Sequence, residues 1–137
     1  MKVVNNPTEI DGIRVVQDYN EVAEALKNGE TVLHWEAGTS LAPLINHLEY
    51  CRIYPIHSIN DIKRGDCVFC RIKDDVTQME YYMVHQVWEI SNSAHNRVKW
   101  FKIGSTMSTI FGWTKDILGI AYGTDIYQDE KFLTENE

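Results

Sequence analysis

The apolar positions divide the 137-residue chain into one short helical stretch and a long series of strands. Tyr19, Val22, Ala23 and Leu26 share a helical face, and Asp18 and Glu21 stand at capping-box spacing at its start. Asn28-Gly29 then offers residues that tolerate the left-handed conformation and stops the helix. A short strand, Ile13 to Val16, is predicted before it. From Glu30 the reading changes to β. Thr31 to Trp35 is strand-like, Gly38 to Pro43 forms a turn, and Leu44 to Leu48 makes one helical turn. Arg52 to Ile56 is short and extended, with Pro55 pointing to an edge position. The tight-turn pair Gly65-Asp66 leads into Cys67 to Ile72, and Lys73-Asp74-Asp75 makes a polar hairpin tip. Glu80 to Ile90 is a long strand, rich in aromatic and β-branched residues. Ser91 to Asn96 turns the chain, Arg97 to Ile103 returns as a strand, and Trp113 to Ala121 ends the sheet, with Gly112, Gly119 and Gly123 as punctuation. The expected organisation is a strand and helix over 1–29, a β domain over 30–123 and a tail over 124–137.

Length and composition fit one globular domain, with 44% hydrophobic and 24% charged residues. The 13 basic residues against 20 acidic ones leave −7, which argues against a general grip on nucleic acid. Thr124 to Glu137 holds five acids and one lysine, and is expected to be a solvated, partly ordered end. The first residues carry no secretory signal, and no apolar run approaches the roughly 20 residues that cross a bilayer. No membrane partner is expected, and the predicted location is cytoplasmic.

Three cysteines fit a reduced interior, because an odd number cannot close a disulfide set. Cys67-Val-Phe-Cys70 has the spacing of half a zinc site, yet in a strand an i, i+3 pair points to opposite faces. Neither metal nor cofactor is expected. His34, His47, His57 and His95 stand in no ligand spacing and read as surface or strand residues. Trp35, Trp88, Trp100 and Trp113 read as core, Tyr81 and Tyr82 as pointing to opposite faces, and Lys63-Arg64 as a solvated pair.

The sharpest local feature is Gly38-Thr39-Ser40-Leu41-Ala42-Pro43, which presents a serine between a flexible glycine and a rigid proline. It is followed in order by Arg64-Gly65-Asp66-Cys67-Val68, Val84-His85-Gln86-Val87, Phe101-Lys102-Ile103-Gly104 and Ile117-Leu118-Gly119-Ile120. This succession, over roughly residues 30–123, resembles the family that joins type I signal peptidases to the LexA-like self-cleaving repressors. Val84 to Val87 is similar to the Val-His-Arg-Val strand of the endoplasmic-reticulum and archaeal branch. The resemblance implies a mainly β (α+β) fold, a partly closed coiled sheet of the signal-peptidase and LexA catalytic type with one amino-terminal helix. It also implies Ser40 as nucleophile and His85 as general base. An imidazole that titrates near neutrality suits the second role. The Gly38-Thr39-Ser40 turn would supply the oxyanion site, with the Ser40 N–H as donor.

Three departures stand out. Leu41 replaces methionine, Gln86 replaces arginine, and Gly104-Ser105-Thr106-Met107 stands where the histidine branch has Gly-Asp-Asn-Asn. The acid that would orient the imidazole is missing there, a loss worth about four orders of magnitude in a serine-protease triad. Ser105, Ser108 or a backbone carbonyl is left for that role. Lys99 and Lys102 are the alternative bases. Only 39 residues precede Ser40, too few for a helix-turn-helix repressor unit with one convincing helix among them. The expected partner is a protein or peptide, or the chain itself, in a bacterium or a phage-infected host. Two other classes compete: a non-catalytic module that binds an extended peptide by strand addition, in a phage or mobile-element setting, and a structural subunit.

Overall fold

Alternating burial in the β-rich runs produces one large sheet, described for residues 1–92 and 98–135 in a computed structural model. The early elements are β1 (Lys2–Val4), the small hairpin β2 (Glu9–Ile10) and β3 (Ile13–Arg14), and helix α1 (Tyr19–Lys27). The sheet continues with β4 (Val32–Trp35), β5 (Glu49–Pro55), β6 (Cys67–Lys73) and β7 (Glu80–Asn92). It is completed by β8 (Lys99–Gly104), β9 (Ile110–Thr114) and β10 (Asp116–Gln128), before a short helix α2 (Lys131–Glu135). Spatial order is β4-β5-β10-β6-β7-β8-β9, antiparallel throughout, while β1 adds in parallel to the far end of β10. The protein is therefore mainly β. No described helix is long and apolar enough to cross a membrane.

The sheet curls. Thr114 on β9 donates its hydroxyl hydrogen to the Arg71 carbonyl on β6, and Gly112 lies against Ile72. Three buried clusters result: two lie on opposite faces of β6, and a third gathers Ile10, Leu33, Trp35, Leu48 and Tyr50. Phe69, Cys67 and Val84 pack with Val32, Cys51 and Ile53 under α1, which contributes Val22, Ala23, Ala25 and Leu26. Val68, Cys70 and Val87 pack with Ile72, Phe101 and Ile103 on the other side. Cys67 and Cys70 thus face opposite cores, as strand alternation requires. All three cysteines are free, and burial pushes the Cys67 and Cys70 thiols up to about 12, so both stay protonated.

The α1 start behaves as the sequence predicts: the Asp18 carboxylate accepts from the Glu21 N–H at 3.0 Å. Several other expectations need correction. β5 is an interior strand between β4 and β10, and Pro55 is tolerated because it is the strand's last residue, beyond the reach of β4. Leu44 to Leu48 forms no helix; the chain turns earlier, with the Leu44 and Ile45 N–H groups both donating to the Leu41 carbonyl. Trp113 to Ala121 is two strands, β9 and β10, separated at Lys115. Trp35 is buried, whereas Trp100 and Trp113 are 39% and 42% exposed on the outer face. The predicted turn at Ser91 to Asn96 and the strand start at Arg97 lie largely outside the described residues.

The tail is the largest correction. β10 continues through Thr124 to Gln128, so the start of the acidic segment belongs to the sheet. Gln128 is buried, and its Oε1 accepts from the Asn6 N–H at 2.7 Å and from the Tyr50 hydroxyl at 2.8 Å. A sequence-only reading saw the acids and missed the alternate Thr124, Ile126 and Gln128 that face the Tyr50 side. Replacing Gln128 by Ala strands the buried Tyr50 hydroxyl and frees the Asn6 N–H, and should cost about 1–3 kcal/mol, seen as a lower urea midpoint. A solvated tail would leave the midpoint unchanged.

Candidate functional site

The predicted nucleophile turn begins with a left-handed glycine. Gly38 has φ +113°, and its N–H donates to Nδ1 of His47 at 2.8 Å. Thr39 and Ser40 are exposed, after which Leu41 and Ile45 plunge into the core under α1 and anchor the turn from below. The Ala42 N–H donates to the Thr39 carbonyl at 3.1 Å, and Ala42–Pro43 is a cis bond.

A second segment holds the turn from the side. The Thr106 N–H donates to the Ser40 carbonyl at 2.8 Å, and the Thr106 hydroxyl bonds both the Ser40 and the Ala42 carbonyls. Thr106 belongs to the β8–β9 connection, which is closed by Ser105. The Ser105 hydroxyl oxygen accepts from the Met107, Ser108 and Thr109 N–H groups, at 3.3, 3.2 and 3.0 Å. The Trp88 indole N–H donates to the Ser105 carbonyl at 2.8 Å. Gly104 is obligatory in this packing, since a Cβ there would lie 2.5 Å from the Thr109 carbonyl oxygen. The segment that lacks the family-type acid is thus a compact loop that clamps the serine turn.

β8 pairs with β7, and Gln86 opposite Gly104 brings His85 to the same end of the sheet. The His85 ring stacks on Phe111, with centroids 4.3 Å apart, and its Nδ1 is buried with no hydrogen-bond partner among the described residues. Burial holds its pKa below the ordinary histidine range, and the charge of Glu36 opposes that shift. The ring is therefore neutral at pH 7. No described hydrogen bond joins Ser40 to His85, and none joins Ser105 to His85. Ser40 shares a small cavity of about 20 Å³ with Glu36, Leu41, Glu49, Cys51 and Val84; His85 does not line it, because it pairs with Val68 and strand alternation turns it to the other face of β7 from Val84.

Glu36 is a site-lining residue that sequence reasoning missed. Its carboxylate accepts from the Tyr19 hydroxyl and lies 3.0 Å from Nε2 of His34. His34, read as a surface or strand residue, is on a strand but only 2% exposed, with Nδ1 2.8 Å from the Val16 carbonyl. The alternation His34, Glu36 just before the Gly38 turn was a legible signal, since both side chains of such a pair reach the same face. Glu49, the other carboxylate at the cavity, is occupied by the Asn46 and Asp125 N–H groups at 2.9 and 2.8 Å. Among the described residues no cluster of His, Cys, Asp and Glu could hold a metal ion. Lys102 pairs with Glu89 at 3.7 Å on the outer face.

What the fold and these contacts define is a mainly β protein with an exposed serine turn clamped to the β8–β9 connection and, on β7, a neutral, partly buried histidine. No protein-family model matches the chain, and no match was found among curated proteins or among solved structures.

Two outcomes follow from this geometry. Gly104→Ala should lower stability by about 1–3 kcal/mol in urea titration, because the loop cannot close around Ser105 with a methyl group in the way. For His85, the folded pKa lies below the unfolded value of about 6.5, so the unfolded chain gains protons first as pH falls. Its contribution is then fully present above that value and is lost on acidification. Urea midpoints should decline from pH 7 to pH 5, and His85→Gln should flatten the decline.

Proposed function

We propose that this chain is a serine peptidase-like protein of the signal-peptidase and LexA type, acting on a protein partner or on itself. The observation that carries the reading is the clamp from Thr106 to the Ser40 carbonyl, which fastens the serine turn to the connection that follows β8, the neighbour of the histidine strand. Two further features support it. The His85 ring is neutral, as a general base must be, and its buried Nδ1 has no partner among the described residues. The curled sheet is also the kind of scaffold that the family-like order of segments implies.

In this reading the Ser40 hydroxyl attacks a peptide carbonyl as His85 takes its proton. The Ser40 N–H donates to the oxyanion that forms. Collapse expels the amine, which leaves with the proton from His85, and Ser40 keeps the acyl group. Water, deprotonated by the same imidazole, then releases the acid and restores the hydroxyl.

One observation favours a second reading, peptide binding without cleavage. β9 is the terminal strand of the sheet order, and it carries Ile110, Phe111 and Trp113, each 41% or 42% exposed. Such an edge is suited to strand addition.

A fluorophosphonate or sulfonyl fluoride probe separates the two. The peptidase reading predicts a single adduct on Ser40, its loss in Ser40→Ala, and a reaction slower by about 10²–10⁴ in His85→Ala, with circular dichroism unchanged. No adduct on the folded wild type, together with unaltered peptide affinity in both variants, would favour the binding module.

A further inference from the structure

The face of β5 turned away from α1 carries a second group of polar side chains, apart from the serine turn. Cys51 and Ile53 pack under α1, so strand alternation sends Arg52 and Tyr54 to the other side, the side of Leu33 and Tyr50. Register sets Arg52 opposite Leu33 on β4 and opposite Tyr122 on β10. Tyr54 and Tyr122 are then diagonal neighbours on that face, and their rings meet edge-on with centroids 5.9 Å apart. With Asp11, from the turn between β2 and β3, they line an open groove of about 570 Å³.

Arg52 is the unusual member. Arg14 and Arg71 pair with carboxylates and Lys102 with Glu89, in a chain whose net charge is −7. Arg52 makes no ion pair among the described residues, and it is half-buried, whereas the equally unpaired Arg64 is exposed. Its Nε is closed off from solvent without a partner among those residues, and one terminal nitrogen donates to the Tyr54 hydroxyl at 3.3 Å. Its neighbours in the sheet, Leu33 and Tyr50, are fully buried, so the side chain rises from a rigid floor. A guanidinium held this way without a counter-charge is a cost to the fold that an anionic ligand removes.

The other groups in the groove define what fits. The Tyr54 oxygen takes the arginine hydrogen, which leaves its own hydrogen free to donate. The Tyr122 hydroxyl makes no hydrogen bond among the described residues. Thr124 is already engaged: its hydroxyl donates to the Tyr50 carbonyl and accepts from the Ile126 N–H. The recognition set is therefore one planar cation and two phenol donors, with aromatic rings beside them. Asp11 opposes a second negative charge, and no second cation lines the groove. A single carboxylate meets these terms, because its plane accepts parallel N–H bonds from a guanidinium. A phosphate dianion does not. The volume is that of a small-molecule site.

We propose that this groove binds a small monocarboxylate with an apolar or aromatic body, its carboxylate on Arg52 and its body against Tyr54 and Tyr122. The site is independent of the Ser40–His85 reading and stands even if the chain is no peptidase.

NMR of the ¹⁵N-labelled full chain, observing backbone amides and arginine Nε–H signals, tests the proposal with benzoate as the probe. Benzoate should shift the Arg52 Nε–H and the Tyr54 and Tyr122 amides saturably, with a Kd of about 1–10 mM. Benzamide has the same shape without the charge; it and inorganic phosphate should each bind at least about tenfold more weakly. Arg52→Gln should weaken benzoate by a similar factor, and Arg52→Lys, which keeps the charge but loses the fork, by less. Benzamide binding as tightly as benzoate would overturn the proposal, and that comparison needs no variant to fold. So would equal binding of phosphate, or benzoate shifts absent from Arg52, Tyr54 and Tyr122. A blocked glutamate peptide binding there at least about tenfold tighter than benzoate would also overturn it, in favour of a partner protein.

Discussion

One backbone hydrogen bond, from the Thr106 N–H to the Ser40 carbonyl, joins segments 66 residues apart and determines what the rest of this end of the sheet can do. It adds to the anchoring of the Gly38–Pro43 turn from beneath, by Leu41 and Ile45, and to the side-chain bonds from His47 and from the Thr106 hydroxyl, a backbone link to the connection that follows β8. The bond depends in turn on a loop that can be closed only tightly. Ser105 gathers three N–H groups onto one oxygen, Trp88 bonds its carbonyl, and Gly104 leaves room for the crossing. The connection between β8 and β9 acts as a fastener for the serine turn.

Burying Glu36 alone would be costly, and the structure offsets the cost with a histidine and a phenol that both bond the carboxylate. Glu36 also lines a cavity with room for about one water molecule, shared with Ser40 and Glu49.

Much of the fold was legible in the residues because local chemistry and final structure agree. Asp18 caps α1, the alternation in Cys67 to Ile72 places the two cysteines in different cores, and the half-buried Tyr82 and exposed Tyr81 follow the same rule. What was not legible depends on partners distant in sequence. Pro55 signals an edge unless one knows that β4 is shorter than β5. The acids after Gly123 suggest solvent until Tyr50 and Asn6 supply partners for Gln128. Trp100 and Trp113 look like core, but their faces of β8 and β9 leave them more than a third exposed. At the candidate site, the order of segments along the chain singles out Ser40 and His85, and the His34, Glu36 alternation before the turn was a signal for Glu36; the partners that hold it, Tyr19 and His34, read in the sequence only as a helix-face aromatic and an ordinary strand histidine.

The account's central claim is spatial, and a high-resolution crystal structure of the protein tests it most directly. The account predicts the Ser40 hydroxyl and a His85 ring nitrogen within hydrogen-bond reach of each other, directly or through one ordered water, at a surface open to a peptide. A structure in which the two side chains have protein packed between them would contradict it.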